Sequence, residues 1–158
     1  TILSSSVTLV NARSLAQQRG LEITESHSSR PRNFTSLISV KLHTSRGENW
    51  AEGAVFEPGE PRLVLLDGVE VEAPLAGTIV VIRNSDQPGV IGEVGTIFGK
   101  HRLNITAFAL GRGTDGAVGV VSVEEKATVT ASTTDATSSL VNEIRNVPTV
   151  RQVGLVRL

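Results

Sequence analysis

The residues of this chain best suited to chemistry are Asn84-Ser85-Asp86-Gln87-Pro88-Gly89-Val90-Ile91-Gly92 and, one short helix later, Asn104-Ile105. The chemistry is that of holding a small zwitterion. A β-branched run, Thr78 to Ile82, precedes them, and apolar positions at helical spacing follow. The chain should therefore pass from a strand, through a tight Asp-x-Pro-Gly turn, into a helix start. Pro88 and Gly89 suit the first helical turn, where a missing N–H is no loss and backbone can approach a ligand closely. A helix N-terminus offers free N–H groups and partial positive charge, which suits a small carboxylate. Asp86 beside it would take the matching ammonium. Each residue also has a plainer reading: Asp86 as a helix cap stabilising by about 1 kcal/mol, Asn104 as a turn residue. Taken with Pro88-Gly89, the combination reads as an amino-acid sensor.

Other chemistries find less support. Gly89-x-x-Gly92-x-x-Gly95 follows a strand, but it is not the GxGxxG dinucleotide pattern, and no acidic residue closes a second parallel strand. Gly92, Gly95 and Gly99 read instead as close packing of a helix on a sheet. Gly99-Lys100-His101 lacks phosphate-loop spacing. His27, His43 and His101 lie far apart and read as surface residues, not metal ligands. No Ser–His–Asp set, paired catalytic carboxylates or nucleophile elbow is present.

Composition narrows the partners. The 158 residues include 39% hydrophobic and 20% charged side chains, enough to fold throughout as one ordinary domain or two small ones. Aromatics are 3%, with Trp50 alone and no Tyr, too few for base stacking. Residues 1–76 carry seven basic and nine acidic side chains, and residues 77–158 carry eight and seven. Neither part sets up a field that would hold nucleic acid or an anionic membrane. No apolar run nears the roughly 20 residues of a membrane span. Cysteine is absent, which removes disulfides and thiol nucleophiles and fits a cytoplasmic location. The opening Thr1-Ile2-Leu3-Ser4 has no initiator Met and no signal pattern, as expected of a piece of a larger protein.

The apolar pattern changes at Ala73-Pro74-Leu75-Ala76-Gly77, which sets expected domains at 1–76 and 77–158. In the first, a helix over 10–19 ends at Gly20, and strands are expected over 21–26, 35–44, 50–56 and 62–72. Leu37, Ser39 and Lys41 alternate with Ile38, Val40 and Leu42 as in a half-buried strand. Asp67-Gly68 marks a hairpin. In the second, strands over 78–84, 103–110, 117–123 and 150–158 enclose two helices. One bears Val90, Ile91, Val94, Ile97 and Phe98; the other starts at Asp135 and buries Ala136, Leu140, Val141, Ile144 and Val147. The fold class is α+β: an antiparallel sheet with a helix, then a ferredoxin-like βαββαβ domain. One face or edge of the second sheet is left for a partner.

Asp86-x-Pro88-Gly89-Val90-Ile91-Gly92, the helix, and Leu103-Asn104-Ile105 resemble the ACT domain, a small amino-acid-binding regulatory module. Upstream, Val10-Asn11-Ala12, Gly20-Leu21-Glu22 and Glu60 to Gly68 resemble the intervening, allosteric substrate-binding domain of D-3-phosphoglycerate dehydrogenase. In that order they are similar to the C-terminal regulatory half of the long bacterial enzyme. L-serine dehydratase subunits carry a related pair. The resemblance implies that two ACT domains pair side by side into one sheet, with L-serine at their interface. Asn84, Asp86, Pro88, Gly89, Val90 and Ile91 of one protomer, with Asn104 and Ile105 of the other, would hold it. Relatives place His or Tyr where Asn84 stands. The resemblance also implies a second, anion-binding site: Arg62 occupies one of its positions, Val69 and Pro74 stand where two arginines are expected, and Arg30 and Arg32 would substitute for them.

By that resemblance the chain is non-catalytic alone, without a metal or cofactor of its own. Its parent would oxidise 3-phosphoglycerate with NAD and be inhibited by serine bridging a homodimer or larger homo-oligomer. The alternatives are a dehydratase regulatory pair and a pure oligomerisation module. An amino-acid-dependent thermal shift separates a sensor from such a module, and the parent sequence separates the two enzymes.

Overall fold

Hydrophobic periodicity, glycine turns and β-branched runs set out eight strands and three helices among the described residues. The structure, a computed structural model, describes residues 7–8, 10–27, 34, 36–45, 47–57, 59–124 and 133–158. The chain divides into two compact units after residue 33.

In the first unit, helix α1 spans Ala12–Gln18. Before it, Asn11 Oδ1 accepts the Thr8 N–H at 2.7 Å and Thr8 Oγ1 accepts the Asn11 N–H at 3.3 Å. Gly20 ends it at φ +72, with its N–H on the Gln17 carbonyl and the Leu21 N–H on that of Ala16. This paired C-terminal closure is why Gly stands there. The strand expected over 21–26 does not form. Those residues are irregular and exposed. A strand exists only by pairing, and among the described residues no strand pairs with this segment.

In the second unit, β1 (Leu37–Thr44), β2 (Gly47–Phe56), β3 (Glu60–Leu66) and β4 (Val69–Pro74) form an antiparallel meander in that order. Asp67 and Gly68 turn the β3–β4 hairpin with φ +47 and +81, the double positive that a tight two-residue turn demands. The half-buried reading of β1 fails. Ile38 is 72% exposed, and Val40 and Leu42 are exposed with it. β1 is an edge strand, and alternation marks a face without supplying the element that covers it.

The second sheet is built from β5 (Thr78–Asn84), β6 (Ile105–Gly113), β7 (Gly116–Val123) and β8 (Val150–Arg157), with α2 (Val90–Lys100) after β5 and α3 (Thr133–Arg145) after β7. Its order, β6-β7-β5-β8, is antiparallel throughout and gives the expected βαββαβ, ferredoxin-like topology. One face buries Val80, Ile82, Val121 and Val153 against Val94, Ile97 and Phe98 of α2 and Leu140 and Ile144 of α3. Each such side chain stabilises by about 1.5–3 kcal/mol when fully buried. α3 starts at Thr133, two residues ahead of the expected cap at Asp135.

The other face is not left for a partner. Ile79, Val118 and Val120 pack on Leu63, Val71 and Ala73 of the first sheet. β4 crosses β6 so closely that a Cβ on Gly111 would lie 2.2 Å from the Glu70 carbonyl oxygen. The close packing expected at Gly92, Gly95 and Gly99 is absent, for a Cβ at any of the three meets nothing within 4 Å. Asp67 adds a polar tie, its carboxylate accepting the Trp50 N–H and pairing with Arg83 on β5.

Candidate functional site

β5 ends at Asn84, which is buried, and the chain leaves the sheet in a turn that Asn84 itself organises. Its Oδ1 accepts the Asp86 N–H at 2.8 Å, an Asx turn that mimics backbone. Asp86 takes φ +50 and Gly89 φ +94, so the segment folds back before α2 begins at Val90. The helix cap is Gly89, not Asp86, and it makes no side-chain capping bond. The first N–H groups of α2 therefore lack intrahelical acceptors, as at any helix start.

Asp86 is engaged elsewhere. Its Oδ1 and Oδ2 lie 3.2 and 3.1 Å from Arg112 Nε on β6. Below this pair lies a pocket of about 310 Å³. Asn84, Asp86, Gln87 and Arg112 line it with polar groups, Pro88 to Ile91 with the helix start, and Ile82, Val94, Phe108 and Leu110 with apolar surface. The arrangement pairs a carboxylate and a guanidinium with helix N–H groups beside a greasy interior, a fit for a small zwitterion.

Six of the expected residues, Asn84, Asp86, Pro88, Gly89, Val90 and Ile91, thus line one pocket. Asn104 and Ile105 are not among its lining. Asn104 Nδ2 donates to Glu124 Oε2 at 3.0 Å, and Ile105 packs on the helix-side core. Arg112 lies eight positions after Asn104, on the order of 25 Å along a strand. Arg112 was the residue the motif missed. Its signal was alternation: Phe108, Leu110 and Arg112 occupy every second position, and all three line the pocket.

The sequence profile of the D-3-phosphoglycerate dehydrogenase intervening domain matches residues 1–67, and that of the ACT domain matches residues 78–147. A D-3-phosphoglycerate dehydrogenase of Archaeoglobus fulgidus is 34% identical over 75% of this chain, and one of Bacillus subtilis is 28% identical over 99%. The chain belongs to the D-3-phosphoglycerate dehydrogenase family, as its C-terminal regulatory region. It spans 22% of the Archaeoglobus protein and 28% of the Bacillus one. A similar solved structure is the ACT domain from GTP pyrophosphokinase of Chlorobium tepidum. It is 20% identical, with a TM-score of 0.37, and the match covers 51% of this chain and 97% of that one.

The pocket lies within the ACT domain, at the end of its first strand and the start of its first helix. Of the second expected site only Arg62 can be described, since Arg30 and Arg32 lie outside the described residues. Arg62 sits on β3 with its guanidinium 5.9 Å from the Phe56 ring centre and Nη1 3.9 Å from Glu72. His101 is not the surface residue expected; it is half-buried, with Nε2 2.8 Å from Glu143 Oε2. Lys100 Nζ reaches the same carboxylate at 3.1 Å, joining the end of α2 to α3. The glycine-marked helix start does not fit a dinucleotide, because β5 is flanked by β7 and β8, both antiparallel. Among the described residues no three His, Cys, Asp or Glu gather as a metal site, and no helix is long and apolar enough to cross a membrane.

Proposed function

We propose that this regulatory region senses L-serine at the Asp86 pocket and transmits its binding as feedback inhibition. The protein it serves would be an NAD-dependent dehydrogenase acting on 3-phosphoglycerate, as the relatives' shared name suggests. The nicotinamide chemistry would belong to other parts of that protein, and nothing in this chain takes part in it. We take the division into domains as 1–76 and 77–158.

The observation that carries the reading is the convergence of Asp86, the uncapped start of α2 and a pocket of about 310 Å³. Asp86 takes the ammonium, and the helix N–H groups near Gly89 to Ile91 face the carboxylate. Asn104 completes the site from a second copy. β6 is an edge strand of its sheet. Antiparallel pairing of β6 with the same strand of another copy sets the start of one beside the end of the other. The partner's Asn104 then meets the Asp86–Arg112 end of the pocket, though the two are on the order of 25 Å apart within one chain. Serine joins both copies, so it favours the paired arrangement by its differential affinity for it.

Calorimetric titration with L-serine, together with sedimentation, tests this. The expected result is binding at up to millimolar ligand that strengthens the dimer. A dimer that takes up no amino acid would mark a pure assembly module instead.

A further inference from the structure

We infer that Arg112 reads the ligand carboxylate together with the helix N–H groups near Gly89 to Ile91, and that an α-amino acid binds by inserting its zwitterion between Arg112 and Asp86. The inference rests on the amino-acid-sensing reading and deepens it. The two side chains meet at 3.1 Å and offer the two charges an α-amino acid complements: a carboxylate for its ammonium and a guanidinium for its carboxylate. Each partner in the pair exchanges one salt bridge for another, so insertion strands no charge. The pair is partly open to solvent, with Arg112 72% and Asp86 35% exposed, and can part without dismantling a core.

The guanidinium suits the task in geometry. Nε makes the contact with Asp86. A guanidinium holds five N–H donors in a planar fork, and its two-pronged edges match a carboxylate in a way an ammonium cannot. The strand beneath it is also fixed. Gly111 and Gly113, on either side of Arg112, seat against β4, where added Cβ atoms would lie 2.2 Å from the Glu70 oxygen and 2.8 Å from Val69. Arg112 therefore rises from a backbone held against the first sheet, and its row-mates Phe108 and Leu110 form the apolar wall below. The site should demand both charges on one ligand: an amine without a carboxylate would leave Arg112 with no gain.

The test is calorimetric titration of the full chain and of R112Q and R112K with L-serine and with ethanolamine, which keeps the ammonium and hydroxyl but has no carboxylate. The expected result is a clear preference for L-serine in the parent chain. In R112Q, L-serine affinity falls roughly ten-fold or more, the range for losing a hydrogen-bonded charge, and the preference over ethanolamine disappears. R112K recovers part of it. Folding is followed by thermal unfolding, which an exposed pair should barely move; if R112Q does not fold, R112K against the parent decides. R112Q binding L-serine as well as the parent, with ethanolamine still rejected, would overturn the role of Arg112 and leave the sensor intact. A parent chain that binds neither ligand would overturn the sensor, and this inference with it.

Discussion

Asp86 holds a left-handed backbone, φ +50, that a non-glycine residue adopts at a cost of roughly 1–2 kcal/mol. The turn tolerates it because Asn84 Oδ1 holds the Asp86 N–H at 2.8 Å. Such strain persists where a side chain is needed at that place. Asp86→Gly relieves it and keeps the N–H that Asn84 holds, so its urea midpoint should equal or exceed the parent's while serine binding is lost. Loss of stability with binding retained would assign Asp86 to the fold alone. At this scale the sequence was partly legible. Asp86 and Pro88-Gly89 announced a turn into a helix, but spacing alone could not show whether Asp86 caps the helix or faces Arg112. That choice is made by β6, which lies far away in sequence and close in space.

Among the elements, the two sheets meet where β4 crosses β6, and the approach is set by the absence of a side chain at Gly111. Gly111→Ala puts a methyl 2.2 Å from the Glu70 carbonyl oxygen, so backbone must move. We expect a loss of about 1–3 kcal/mol, the range for overpacking, read as a lower urea midpoint at unchanged slope. Gly95→Ala, whose Cβ meets open space, is the control and should not destabilise. The helices are joined at Glu143. The hydrogen bond from His101, then that from Lys100, holds its carboxyl below the usual carboxylate value. A lowered folded-state value contributes stability that is present in full above the unfolded one, about 4.3, and lost as pH falls through the lowered one. Glu143→Gln should therefore melt below the parent at neutral pH, with the gap closing in acid. A gap that widens in acid would contradict the assignment.

Much of this level was legible too. The Asp67-Gly68 hairpin and the βαββαβ order follow from turn residues and period. Three features were not, for related reasons. The segment 21–26 alternates like a strand but lacks a pairing partner, β1 alternates but lacks a cover, and the second sheet's free face is taken by β4. Periodicity says which residues share a face. It does not say what that face meets.

At the scale of the whole molecule, the region couples two sheets that share a core with a pocket at one end of β6. Arg83, which pairs with Asp67 of the first sheet, directly precedes Asn84 of the pocket, and Gly111, which seats β4, directly precedes Arg112. Movement at the pocket thus has a short physical route to the first sheet. What the single chain does not bring together is Asn104 with Asp86; a second copy would do so.

Mixing two defective chains tests this most directly. Asp86→Ala and Asn104→Ala should each bind serine poorly alone. Together they form mixed dimers in which one site regains both native residues, so calorimetry should recover serine binding at one site per mixed dimer. An Asn104→Ala chain that binds as well as the parent, or a mixture of established mixed dimers that recovers nothing, would contradict a site shared between two copies.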